Sequence, residues 1–388
     1  MPAIAITGRG PNNYGGRTRA LGFDVRDTDI VISGGVTSGI YRSTNGGSSW
    51  ARVTPAGEIH SLTCVAQDTR VGHRDTWYAS TGERNSSAGG PAPGTGDNYY
   101  GYGIYKSTDN GLTWTAIANT QSNLEVLNSQ FDYIHRMVVD PNNGNVLAAT
   151  ANIVSHLDIS TGTWSPVLGS FATDDYVDII YNAVGNKFYA AIYGRDGSGG
   201  IHSSTNGTTW ASVGTPADLN PTGASGFAYD VERIVLANVA NTEDVIAFFQ
   251  LTTNYGFTCT NGATTEAGLA FYDVSADSWT VHTDKVGNCS NNTTATALPK
   301  QLELQEGYNM AITTKPNDAN IVYLGGTEGY RYNLSTNLYE FIGGSQKAAN
   351  SVNLHVDQHI FMFEPGSNDI MWSGSDGGLR KTDVTGTI

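Results

Sequence analysis

Ionisable and amide side chains recur in short pairs along this chain, each at the start of an apolar run. Arg17 goes with Arg19, Glu58 with His60, His135 with Arg136, and Asp175 with Asp178. Glu232 goes with Arg233, Tyr308 with Asn309, and Asp357 with His359. Cations, carboxylates and amides that converge in a concavity bind polar ligands or move protons. The plainer alternative is that such residues line a water-filled channel. The stretch from Gly82 to Gly101 adds Glu83, Tyr99 and Tyr100, and its adjacent tyrosines either stack on sugar rings or pack the loop down. Glu83, Glu328 and Asp376 are the candidate catalytic carboxylates, because inverting glycoside hydrolysis needs two across a cleft.

His355, Asp357 and His359 alternate, which on a strand would place three metal-ligand types on one face. Extended strand spreads positions i, i+2 and i+4 over about 13 Å, so polar lining is the better expectation than a metal site. Cys259 and Cys289 fall in polar segments and are the candidate disulfide, whereas Cys64 in Ser61-Leu62-Thr63-Cys64-Val65-Ala66 reads as a small buried hydrophobe. No cofactor is expected, since phosphate loops, nucleophile elbows, zinc-finger spacings and nucleotide fingerprints are all missing from the sequence.

The elements that must position these residues announce themselves as a repeated corner. Ser43-Thr44-Asn45-Gly46-Gly47-Ser48-Ser49-Trp50 and Ser107-Thr108-Asp109-Asn110-Gly111-Leu112-Thr113-Trp114 each follow a short β-type run. Hydroxyl and Asx side chains bond nearby amides, Gly takes positive φ, and Trp returns to the core. Weaker copies end at Trp164, Trp210, Trp279 and Tyr339, and Asp383 to Ile388 stands in the same frame. Seven corners in 388 residues give about 55 residues per repeat. Four short runs per repeat predict an all-β, seven-bladed β-propeller of four-stranded antiparallel blades. The repeats run approximately 16–57, 58–130, 131–173, 174–222, 223–304, 305–354 and 355–388, the last closed by residues 2–7. Because Ile388 stands where a Trp is expected, the chain also reads as a piece of a longer protein.

Composition narrows the function. Glycine is abundant at 47, charged residues make up 15%, and the formal net charge is −15. No basic stripe offsets nucleic-acid phosphates, and no apolar run approaches the roughly 20 residues of a membrane span. Met1-Pro2-Ala3-Ile4-Ala5-Ile6-Thr7 lacks the basic and apolar regions of a signal peptide.

The corners resemble the Asp-box, or bacterial neuraminidase repeat. That repeat occurs in sialidases, xyloglucan-degrading endoglucanases, sortilin-type receptors and photosystem II assembly factors. Gly15-Gly16-Arg17-Thr18-Arg19-Ala20-Leu21, Trp77-Tyr78-Ala79-Ser80-Thr81-Gly82-Glu83 and His355-Val356-Asp357-Gln358-His359 with Ser375-Asp376-Gly377-Gly378 are closer to large secreted propellers of Bacteroidetes, many with a type IX sorting domain. The resemblance implies that the boxes are scaffold on the rim, and that the opposite, loop-rich face carries function. It also implies an extracellular or cell-surface location, with the secretion machinery as a partner.

Three functions compete. A sialidase needs an arginine triad, but no Arg-Ile-Pro-type motif precedes the first box. An endoglucanase of this resemblance carries an Asp in the turn of Gly34-Gly35-Val36-Thr37-Ser38-Gly39, which has none, although Asp376 keeps one in the seventh repeat. The favoured expectation is therefore a non-catalytic binding propeller that recognises a glycan or protein on its top face.

Overall fold

The computed structural model describes residues 6–10, 16–36, 38–55, 61–84, 99–121, 128–170, 176–192, 199–219, 231–251, 257–258, 264–265, 267–282, 302, 304–305, 307–344 and 354–384. These form seven four-stranded antiparallel sheets, and the only α-helix among them is Pro216–Leu219. The fold is a seven-bladed β-propeller.

The innermost strands of blades 1 to 7 are Thr18–Asp24, Leu62–Gln67, Ile134–Val139, Val177–Asn182, Val231–Asn238, Ala311–Lys315 and Gln358–Phe363. Each neighbours the innermost strands before and after it, and the seventh neighbours the first, so the ring is closed. Buried apolar side chains form one cluster between every adjacent pair of blades. Ile32 and Trp77 meet between blades 1 and 2, and Phe23 and Trp372 between blades 1 and 7. Blade-to-blade burial is thus the cohesive force, because no single twisted sheet could bury both its faces alone.

The outer strand of blade 7 comes from the other end of the chain. Ile6–Gly10 pairs antiparallel with Gly378–Asp383, placing Ile6 opposite Thr382 and Thr7 opposite Lys381. Residues 6 and 7 of the 2–7 segment read from the sequence lie in this strand, and residues 2–5 lie outside the described set.

The corners join third and fourth strands. Ser43 Oγ accepts from Gly47 N–H at 2.9 Å, Asn45 Oδ1 from Ser49 N–H at 2.8 Å, and Trp50 Nε1 donates to Gly47 O at 3.1 Å. Ser107, Asp109, Gly111, Thr113 and Trp114 repeat the same bonds. Gly111 has φ +79°, and a Cβ there would come 2.3 Å from Ile32 Cδ1 of the neighbouring blade. In blade 6 the substitute Tyr339 stacks on Tyr332 at 4.5 Å, as Trp279 stacks on Tyr272 at 4.9 Å in blade 5. One corner geometry thus accepts either aromatic residue.

Candidate functional site

Innermost strands start on the face that also carries the turns between second and third strands. Arg17 precedes the first innermost strand and Tyr308 the sixth, Glu83 and Asp376 follow the second strands of blades 2 and 7, and His359 lies in the seventh innermost strand. Four blades therefore bring one network together. Arg17 Nη1 meets Glu83 Oε2 at 2.6 Å and its Nε meets Asp376 Oδ1 at 3.3 Å. Arg19 Nε pairs with Glu83 Oε1, and Arg19 Nη2 donates to Tyr308 O at 3.0 Å. Tyr308 donates its hydroxyl to Asp376 Oδ2 at 2.7 Å, and His359 Nε2 lies 2.7 Å from Asp376 Oδ1. Both arginines lie over the Tyr308 ring, at 4.9 and 5.4 Å from its centroid.

The electrostatics follow from burial and pairing. Burial pushes His359 down to about 3, with Arg19 and Arg17 adding repulsion, so at neutral pH it is an uncharged donor to Asp376. Burial pushes the Asp376 carboxyl up, but hydrogen bonds from His359 and Tyr308 and the Arg17 charge outweigh it and hold the group well below the usual carboxylate range. Burial and donation to Asp376 raise Tyr308 far above an ordinary phenol. Glu83 is 1% exposed and sits between two guanidinium groups.

Beside this network lies an axial cavity of about 640 Å³, lined by residues including Arg19, Glu83, Arg84, His135, Tyr176 and Arg233. Tyr176 precedes the innermost strand of blade 4, and its ring carries Arg84 at 4.7 Å, Arg233 at 5.0 Å and the His135 ring at 5.0 Å. Arg136 reaches from blade 3 to Asp178 Oδ2 at 3.1 Å and to Leu236 O at 3.2 Å. Asp178 Oδ2 also accepts from Leu236 N–H at 2.7 Å, tying blade 4 to the inner edge of blade 5. Burial raises Asp178, and it lowers His135 with help from Arg233, Arg84 and Arg19.

The remaining candidates are scattered. Asn309 donates to Asp357 Oδ1 at 2.8 Å and to Thr327 Oγ1 at 3.1 Å, bracing the mouth rather than joining the arginine network. Glu328 is buried beneath Gly344, where any side chain would strike its carboxylate. Tyr99 pairs through its backbone with Glu83 and is exposed at the lip, whereas Tyr100 packs on Tyr133 at 5.5 Å. His60, Cys259 and Cys289 lie outside the described residues.

The alternation of His355, Asp357 and His359 in sequence is not an alternation on one strand. The strand begins at Gln358 and Asp357 has φ 64°, so His355, Asp357 and His359 do not share a strand face. His355 Nδ1 contacts Val356 O, Asp357 accepts from Asn309, and His359 faces Asp376. Among the described residues no group of three ligand-type side chains converges on a metal position. Sequence reasoning missed Tyr176. The available signal was an aromatic residue immediately before an innermost strand, as at Tyr133.

Comparison with known proteins places the fold. The chain is similar to YCF48 bound to D1 peptide, with TM-score 0.56 and 11% identity over 100% of this chain and 98% of that one. It is also similar to the GH74 xyloglucanase from Xanthomonas campestris, with TM-score 0.59 and 13% identity over 97% of this chain and 53% of that one. The Kuenenia stuttgartiensis hydrazine synthase aligns with TM-score 0.60 and 8% identity over 96% of each chain. The chain thus spans nearly all of YCF48 but about half of the xyloglucanase. No family model and no curated protein matches the sequence. At these identities the likeness establishes a seven-bladed propeller scaffold and nothing finer. Among the described residues no helix is long and apolar enough to cross a membrane.

Proposed function

We propose that this chain is a binding propeller that takes a glycan or protein ligand at the mouth of its axial cavity and performs no hydrolysis there. One observation carries the reading: Arg17 holds both Glu83 and Asp376, the two candidate catalytic carboxylates that come together. A glycosidase acid must be protonated at working pH, and its partner must be free to meet water or sugar. Glu83 is buried between Arg17 and Arg19, and Asp376 is bonded by Arg17, Tyr308 and His359. Asp376 is held ionised, and both carboxylates are already engaged by guanidinium groups rather than free to meet water or sugar. Export to the cell surface, with the secretion machinery as a partner, belongs to the same proposal and rests on the likeness to secreted propellers. The peptide of the YCF48 complex is compatible with a protein ligand on such a scaffold.

A second reading, endoglucanase-like hydrolysis, is favoured by Asp357. Its carboxyl is raised by burial while Asp376 is depressed, and the backbone N–H of Asp376 donates to the backbone carbonyl of Asp357 at 3.3 Å. Carboxyls pushed in opposite directions are the usual arrangement of an acid and its partner.

The deciding experiment is a panel of oligosaccharides and peptides presented to wild type and to Arg19→Ala, read as retained ligand. Wild type is expected to retain a ligand and Arg19→Ala to lose it. Retention unchanged in Arg19→Ala would remove the mouth from the account.

A further inference from the structure

We propose that Arg233, with Arg84, His135 and Tyr176, forms an anion subsite in the axial cavity that takes the carboxylate of an acidic sugar. The inference rests on the binding reading above and specifies its ligand. Arg17, Arg19 and Arg136 are matched by Glu83, Asp376 and Asp178. Arg233 is not matched. Its Nη1 donates to the backbone carbonyls Gly307 O and Tyr308 O, and among the described residues its Nε and Nη2 make no hydrogen bond and meet no carboxylate. A guanidinium edge with two parallel N–H groups suits a carboxylate bidentately.

The surroundings add donors. Tyr176 is 8% exposed, and its buried hydroxyl has no partner among the described residues. His135 Nε2 is likewise buried and unpartnered. Unsatisfied buried polar atoms are costly, and two beside an unmatched cation point to a polar ligand group. Burial, with repulsion from Arg19 and Arg136, outweighs the attraction of Tyr176 and Asp178 and pulls Arg233 down to about 10, so it stays cationic at neutral pH and an anion would relieve the repulsion.

The ligand class follows from scale and field. A chain of net charge −15, in which Arg233 meets no carboxylate among the described residues, disfavours a polyanion and suits one carboxylate. A cavity of about 640 Å³ is of small-molecule size. Tyr99, 42% exposed at the lip, offers a ring face to a sugar.

The test is titration calorimetry of the full chain with four separate probes. These are a galactose trisaccharide ending in one galacturonate residue, the matching neutral galactose trisaccharide, a tripeptide with a single glutamate side chain and inorganic sulfate. The acidic trisaccharide is expected to bind at least tenfold more tightly than the neutral one, and Arg233→Gln to abolish that preference. Tyr176→Phe, which keeps the ring packing, is expected to weaken only the acidic sugar, by several-fold. Preference surviving in both variants, or Arg233-dependent binding of the tripeptide alone, would overturn the proposal. Equal binding of both sugars, lost in Arg19→Ala, would overturn the anion subsite but leave the binding reading standing. No binding by any probe would count against both.

Discussion

Arg17 of blade 1 holds Glu83 of blade 2 at 2.6 Å, and the same guanidinium reaches Asp376 of blade 7 at 3.3 Å. One side chain thereby ties the first, second and last blades together beside the axis. The ion pairs join the first and last blades beside the mouth, and the outer strand Ile6–Gly10 joins the two ends of the ring at its rim.

Removing that guanidinium leaves a fully buried carboxylate with one partner fewer. Arg17→Ala is expected to cost about 3 kcal/mol in urea unfolding, in the range for breaking a buried ion pair. A loss under about 0.5 kcal/mol would show that the pair contributes nothing to closure.

The pH dependence has a definite sign. His359 is held at about 3 against an ordinary 6.5, so between those values the unfolded chain binds a proton that the folded chain does not. Asp376, depressed below its ordinary 3.8, acts in the same direction at the lower end. Stability should therefore fall as pH drops from about 6.5, before ordinary carboxylates titrate. His359→Gln, which keeps a donor for Asp376, should flatten the fall between about pH 4 and 6.5 in chemical denaturation. An unchanged slope would contradict the assignment.

Two corner glycines separate strain from packing. Gly162 has φ +70° with open space around it, so Gly162→Ala should cost only the backbone term, about 1 kcal/mol. Gly111→Ala meets Ile32 as well and should cost at least about 1 kcal/mol more in thermal or urea unfolding. Equal costs would mean that the corner does not press on the neighbouring blade.

Deleting residues 1–10 would expose the Gly378–Asp383 edge, which now pairs with Ile6–Gly10. Exposed strand edges recruit other chains. Size-exclusion chromatography should show oligomers or loss of soluble protein, and an unaltered stable monomer would refute the closing role.

The repeat was legible because its determinants are local. Ser43, Asn45, Gly47 and Trp50 bond one another within eight residues, so the turn is written in consecutive letters. Arg17, Glu83, Asp357 and Asp376 could be assigned to one face because strand starts and turns alternate regularly around a propeller. Pairing across blades could not be read. Nothing near Arg233 in sequence announces Tyr176 or the Gly307 carbonyl, which meet it only when blades 4, 5 and 6 surround the axis. The shared strand face of His355, Asp357 and His359 was not realised because backbone conformation, positive φ at Asp357, overrode the period-two pattern.

Arg17 engages both carboxylates, and the proposed binding without hydrolysis rests on that engagement. The most direct measurement is the appearance of new reducing ends after prolonged incubation of wild type, Asp357→Asn and Asp376→Asn with neutral and acidic polysaccharides. The account predicts intact polymer in every case. Reducing ends formed by wild type and lost in Asp376→Asn or Asp357→Asn would contradict it.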